Sequence, residues 1–154
     1  KNEHDFIKRL LKEYKIPKNN YSIKELNHNQ IYKELPKYDV GLVFLEKGKW
    51  IRMSSPTKIG EYLAAGLIII GNKDIAVLDR LSWESENIET LKKKGENIYY
   101  DKNRISNLIK KIRNEKTKPK SQALAKKYYS LENANLQYQL IYQLFNKGNH
   151  NSRI

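Results

Sequence analysis

The chain has 154 residues, of which 30 are Lys or Arg and 17 are Asp or Glu, so its formal net charge is +13. Hydrophobic residues make up 39% and charged residues 31%, which provides enough apolar material for a folded core and excludes a disordered polyelectrolyte. There is no cysteine, which excludes disulfides, thiolate zinc sites and cysteine nucleophiles.

The apolar runs of the sequence are short. The longest, over 63–70, falls far short of the ~20 residues that a membrane span needs. The chain starts at Lys1 with no charged and then apolar leader. We therefore expect a cytoplasmic protein without a targeting peptide, and a first residue that is a cut within a longer protein.

The first part of the chain alternates helical and extended patterns. A first helix is predicted, ending at Pro17, with a core-facing stripe of Ile7, Leu10, Leu11 and Tyr14. A strand is predicted over 21–26. A short helix follows, capped by Asn27 or Asn29 and closed by Pro36.

A strand, a loop and a helix are predicted next. Residues 40–45 form an apolar run typical of a buried central strand. The polar segment 46–55 is predicted to be a surface loop at the end of that strand, where functional residues are common. Pro56 suits the first helical position and Gly66 the end of a short helix, and 67–70 reads as the next strand.

The region 74–96 is predicted to hold two helices around a polar break. Their apolar stripes are Ile75, Leu78 and Leu81 in the first, and Ile88 with Leu91 in the second. A strand is predicted over 97–100. Asp101 is predicted to cap the helix that follows, whose stripe is Ile105, Leu108, Ile109 and Ile112.

The last part of the chain is predicted to be a linker and a long helix. Residues 116–120 contain Pro119 among lysines and read as the linker. The helix is marked by Tyr138, Ile141, Tyr142 and Phe145. Because short apolar runs alternate with helical patterns, we expect one α/β domain over 1–146 with a mainly parallel sheet, followed by a polar tail over 147–154.

The segment 54–61 has the composition of an anion site. A helix that starts beyond the carboxyl end of a parallel strand directs free N–H groups outward, and phosphate is their natural ligand. The candidate contacts are Ser54, Ser55, the backbone N–H groups of Thr57, Lys58 and Ile59, the Lys58 ammonium, and Gly60 as a point of close approach. Glu61 could accept hydrogen bonds from ribose hydroxyls. Alternatively, Glu61 only stabilises the helix dipole and Lys58 is a solvated surface charge.

The order of these residues resembles a known family. The run over 38–44, YDVGLVF, and the run over 55–67, SPTKIGEYLAAGL, are similar to the donor-binding half of retaining glycosyltransferases of family 4, which have the GT-B fold. The ending over 129–142 also resembles the closing helix of that family. The resemblance implies a Rossmann-like parallel sheet flanked by helices, half of a GT-B fold, that lacks its first strand.

The resemblance also implies a function and roles for residues. Glu61 matches the second glutamate of the E-x(7)-E motif, which binds the ribose, whereas Met53 stands where the first glutamate would be. The implied reaction transfers a sugar, with retention, from a UDP-, GDP- or ADP-sugar to a saccharide or a lipid-linked acceptor. It needs no metal or further cofactor, and the catalytic residues stay unassigned. The chain would be an incomplete piece that works with an N-terminal acceptor domain of the same enzyme.

Several alternatives stay open. His28 matches a position near the nucleotide in that family, but it also suits a capping or surface imidazole. The net charge of +13 is compatible with nucleic-acid binding, although no nucleic-acid motif is present, or with docking at the inner face of an anionic membrane. A nucleotide-sugar epimerase of the same fold and a pure interaction domain are the remaining readings.

Overall fold

The structure is a computed structural model that describes residues 2–45, 56–94, 97–112, 117–137 and 139. The chain divides into two compact units, Lys1–Ile31 and Tyr32–Ile154. The sequence led us to expect one domain over 1–146.

The first unit consists of helix α1, Asn2–Glu13, a 3₁₀ turn at Lys18–Asn20 and the start of helix α2, His28–Glu34. The predicted stripe is only partly buried: Leu10 and Leu11 are half-buried, whereas Ile7 is 41% exposed and Tyr14, just after α1, is 71% exposed. The predicted strand over 21–26 is wrong: residues 21–27 form neither helix nor strand. An extended segment becomes a strand only when its backbone groups pair with a neighbour, and the sheet lies wholly in the second unit.

The second unit contains a four-stranded sheet in the order β1-β2-β3-β4. Its strands are β1, Val40–Val43, β2, Ile68–Asn72, β3, Ile88–Lys94, and β4, Asn97–Tyr99. β1, β2 and β3 are parallel, and β4 pairs with β3 in the antiparallel sense. The α/β prediction with a mainly parallel sheet is therefore confirmed.

The position of β1 differs from the prediction. We expected a buried central strand, but β1 lies at one edge of the described sheet, and Leu42 is 59% exposed. The side chains of a strand alternate between the two faces, so Gly41 and Val43 face the core while Leu42 points to the other side.

Helices flank the sheet. They are α3, Thr57–Ala64, α4, Ala76–Glu84, α5, Lys102–Ile112, and α6, Thr117–Tyr129; residues 131–137 are also helical. The core consists of Val43, Ile59, Leu63, Ile69, Ile75, Leu78, Leu81, Ile88, Leu124 and Ala125. It joins α3, α4 and α6 to the sheet by apolar burial.

Helix boundaries follow local signals. Pro56 is the N-cap of α3 and not its first helical residue. The helix therefore begins at Thr57, one residue later than predicted. Gly66 has a φ of +83° directly after the helix, and the Leu67 N–H donates to the Tyr62 carbonyl at 2.9 Å, which closes the C-terminus as predicted. Asp101 Oδ1 accepts the Asn103 N–H at 2.8 Å, which confirms the predicted cap of α5.

Two further predictions are wrong. Ile88 and Leu91 lie in β3 and not in a helix: the strand is paired on both sides, and both residues are buried although they point to opposite faces. The predicted linker holds the first turn of α6 from Thr117 onward. Pro119 is tolerated there because N–H groups in the first turn have no partner within the helix. The residues that mark the predicted C-terminal helix, 138 and 141–145, lie outside the described residues.

The N-terminal turn of α6 is fixed by a buried amide. Asn87, 2% exposed, donates from Nδ2 to the Thr117 carbonyl at 2.7 Å and to Ser121 Oγ at 2.8 Å. These bonds join the residue before β3 to α6. Within the part of the chain that the structure describes, no helix is long and apolar enough to cross a membrane.

Candidate functional site

Helix α3 connects two parallel strands, β1 and β2, and presents two different faces. Ile59 and Leu63 are fully buried on the inner face. Thr57, Gly60 and Glu61 are spaced three and four residues apart, so they lie on a second face of the helix, which is directed to α6. Three residues from the predicted anion segment are therefore brought to one surface.

A cavity of about 610 Å³ lies along that second face of α3. One wall consists of Thr57, Gly60 and Glu61 from α3. The opposite wall includes Lys126 and Tyr129 from α6 and Ser130, which follows that helix; Tyr32 also lines the cavity. This volume lies within the ~300–1,000 Å³ usual for small-molecule sites, and an apolar wall with a few polar groups is their common character. We call it the α3–α6 cavity.

Tyr129 packs directly on Gly60. A Cβ atom added at Gly60 would lie 2.8 Å from Cδ1 of the Tyr129 ring, so the ring can keep this position only because residue 60 has no side chain. The close approach predicted at Gly60 is thus made by a side chain of the protein. The role of Gly60 toward a ligand stays a prediction.

The Tyr129 hydroxyl is an unusual group, because it is buried although its residue lines this cavity. It is shielded from solvent and has no hydrogen-bond partner among the described residues. An unpaired buried hydroxyl costs about 1–3 kcal/mol, and native proteins rarely retain one without a reason. Because the oxygen is shielded, a ligand in the α3–α6 cavity would meet the Tyr129 ring and not its hydroxyl.

Glu61 supplies a carboxylate to the same cavity. Its side chain is half-buried, and its neighbour Tyr62 is packed behind it against Gly41. Burial raises the pKa of the Tyr62 hydroxyl, and the Glu61 charge adds to that effect. Tyr62 therefore stays a neutral packing residue. The Glu61 carboxylate can accept hydrogen bonds from hydroxyl groups in the cavity.

Two other predicted contacts are placed differently. The Ile59 N–H, expected to be free for an anion, donates to the Pro56 carbonyl at 3.0 Å, and the Ile59 side chain belongs to the core. Lys58 is exposed on α3 and does not line the α3–α6 cavity. The role of its ammonium toward an anion stays a prediction.

The remaining predicted residues lie elsewhere. Ser54 and Ser55 are outside the described residues, as is Met53. His28 begins α2 in the first unit, where the capping side chain is Asn27. Its Oδ1 accepts the Gln30 N–H at 3.0 Å, and Gln30 Oε1 accepts the Asn27 N–H at 2.9 Å. The role of His28 toward a nucleotide stays a prediction.

Asn72 fixes the chain at the carboxyl edge of the sheet, where ligands of parallel sheets bind. Its buried side chain accepts the Leu45 N–H on Oδ1 and donates from Nδ2 to the Leu45 carbonyl, both at 3.1 Å. Leu45 follows β1 and precedes the segment 46–55. The amide therefore anchors the backbone at the point where that segment starts.

The sequence did not identify the α6 wall of the cavity. Tyr129 belongs to a run that resembles the family, but its position in the sequence implies no role, and Lys126 lies among other lysines without a motif of its own. No local signal in the sequence marks this wall, which is joined to α3 by a tertiary contact: the Gln122 side chain donates to the Ala64 carbonyl at 3.4 Å. Among the described residues, no group of three or more His, Asp or Glu could hold a metal ion.

Comparison with known proteins identifies no relative. No protein family, no curated protein and no solved structure gives a significant match to this chain. The resemblance over 38–44 and 55–67 therefore stays a prediction from the residues, and function has to be argued from the geometry of the cavity.

Proposed function

We propose that the second unit is the nucleotide-sugar-binding portion of a glycosyltransferase of the GT-B type. In this proposal it holds a nucleoside-diphosphate sugar, whose glycosyl group passes with retention to a saccharide or lipid-linked acceptor on another domain of the same enzyme. The observation that supports it is the α3–α6 cavity, which combines the Glu61 carboxylate, the first residue of helix α3 and the Lys126 side chain.

Each group has a chemical task in the proposal. Glu61 accepts hydrogen bonds from the ribose hydroxyls, because a carboxylate can accept from two vicinal O–H groups. The first turn of α3, with Thr57 at its start, and the mobile Lys58 stabilise the negative charge of the diphosphate. Lys126, across the cavity, adds a second cation. Together they stabilise the charge that develops on the leaving group during glycosyl transfer.

The first experiment is a thermal-shift screen with UDP, GDP, ADP, CMP and their sugar conjugates, at low and high salt. A ligand that binds only the folded state raises its stability by mass action, so we expect one nucleoside diphosphate to raise Tm more than the others. Short DNA and RNA oligomers are the control. A salt-sensitive shift with the oligomers alone would favour nucleic-acid binding instead.

Replacing Glu61 tests the ribose contact. Glu61→Ala should weaken binding of the selected nucleotide by about 1.5–3 kcal/mol, or roughly 10- to 150-fold, because a hydrogen bond to a charged group is lost. Titration calorimetry measures the loss, and Glu132→Ala, an exposed carboxylate on the segment 131–137, is the matched control. Equal affinities of the two variants would contradict the role of Glu61.

Replacing Tyr129 separates a ligand contact from a packing role. Tyr129→Phe removes only the unpaired hydroxyl, so we expect the free protein to gain about 1 kcal/mol in the free energy of unfolding. Nucleotide binding should stay unchanged, since the hydroxyl is shielded and only the ring lines the cavity. Urea unfolding and calorimetry give the two values. Weaker binding by the variant would show that Tyr129 turns its hydroxyl toward the ligand and is more than a packing residue.

A further inference from the structure

A second cavity lies between the end of α4, the start of β3 and α5. Its volume is about 340 Å³, and it shares no lining residue with the α3–α6 cavity. The lining is mainly polar and includes Trp83, Glu89, Arg104 and Asn107. We call it the α4–α5 cavity. The proposed function makes no use of it.

A buried carboxylate lies in this cavity. Glu89 on β3 is 6% exposed, and its Oε2 lies 2.9 Å from Nη2 of Arg104 on α5. Burial raises the pKa of Glu89, and the Arg104 charge partly opposes that rise. Keeping a carboxylate out of water is costly, and a cleft that contains such a group is a candidate binding site.

An exposed indole stands at the rim of the same cavity. Trp83 lies in the last turn of α4 and is 82% exposed, although tryptophan is among the residues that gain most from burial. Its flat ring offers an apolar face and one N–H donor beside a polar cavity. That combination suits a ligand with an apolar C–H face and hydroxyl groups around its edge.

The charges of the lining are paired with one another or with neighbouring residues. Three carboxylates, on Glu84, Glu86 and Glu89, face two cations, on Arg104 and Lys111. Lys111 pairs with Glu86 and Arg104 with Glu89, while Lys127 and Tyr128 hold the pKa of Glu84 below its ordinary value. Both cations of the lining are already paired with a carboxylate, so the lining offers no unpaired cation to a phosphate. A neutral molecule whose hydroxyls both donate and accept would fit the alternating donors and acceptors.

We propose that the α4–α5 cavity binds a saccharide, with one sugar ring stacked on Trp83 and its hydroxyls bonded to Glu89, Arg104 and Asn107. It is a binding site separate from the nucleotide site and does not depend on it. A volume of about 340 Å³ is at the small end for ligand sites, so the cavity holds one sugar ring and a longer chain would extend past Trp83 into solvent.

Fluorescence can test this site alone, because the chain has two tryptophans, Trp50 and Trp83. In a Trp50→Phe background the emission reports only on Trp83. The probes are the methyl glycosides of glucose, galactose, mannose and N-acetylglucosamine, with maltose and cellobiose, titrated to about 50 mM so that sites with Kd near 1 mM saturate. We expect a saturable change with at least one probe. The absence of a saturable change with all six would overturn the proposal.

Variants in the same background identify the contacts. Asn107→Ala and Glu89→Gln should each weaken binding of the selected probe about tenfold, the usual effect of one lost hydrogen bond to a charged or polar group. Gln122→Ala, in the α3–α6 cavity, is the control and should bind as before. Asn107 is exposed, so its variant stays interpretable if Glu89→Gln fails to fold. Unchanged affinity in Asn107→Ala and in a folded Glu89→Gln would overturn the proposal.

Discussion

Gly71→Ala is expected to destabilise the second unit by about 3 kcal/mol or more, because the added methyl has no space on either side. A Cβ at Gly71 would lie 2.5 Å from the Val43 carbonyl oxygen and 2.5 Å from Leu78 Cδ1. The first contact is with backbone of the paired strand β1, which cannot move without breaking the sheet. Urea unfolding followed by circular dichroism measures the loss.

Gly60→Ala is the matched comparison for Gly71→Ala. Its Cβ would meet only the Tyr129 ring, whose side chain can tilt into the α3–α6 cavity, so the cost should be smaller. If both variants lose the same stability, the tight packing of Gly71 between β1 and α4 is not what limits substitution there.

Asn87→Leu should produce the second large effect, a loss of about 2–4 kcal/mol in the free energy of unfolding. The isosteric side chain fills the site but leaves the Thr117 carbonyl and the Ser121 hydroxyl without their donor, and Ser121 is fully buried. We expect Ser121→Ala to cost less, about 1 kcal/mol, since only one of the two bonds is removed.

A double-mutant cycle of Asn87 and Ser121 measures their coupling. The two residues share a hydrogen bond of 2.8 Å, so the double variant should be more stable than the sum of the single losses predicts. Strict additivity would show that the amide acts through Thr117 alone. Both outcomes can be read from urea unfolding of four proteins.

The elements that sequence predicted well carry strong local signals. α3 and β2 are separated by Gly66, whose positive φ few other residues adopt, and α5 starts after the capping residue Asp101. β3 was misread because a strand buried on both faces shows no alternation, and Ile88 with Leu91 then has the spacing of a helix.

Other features depend on contacts that a sequence does not contain. Residues 21–26 have strand composition, but whether they pair depends on a partner strand elsewhere. For the candidate site, the α3 half was predicted from its own order of residues, including Thr57 and Glu61. The α6 half comes from about 65 residues further along the chain, and the two are brought together by tertiary contacts such as the shared core and the packing of Tyr129 on Gly60.

The side-chain amide of Asn72 bears on how freely the sequence after β1 can vary. The Asn72 side chain bonds both the N–H and the carbonyl of Leu45. It therefore holds the residues just after β1 in the register that the pairing with β2 sets for the strand. The sheet therefore does not rely on the sequence that follows Leu45 to keep its alignment. Replacing or lengthening segment 46–55 is therefore expected to leave the alignment of β1 with β2 unchanged.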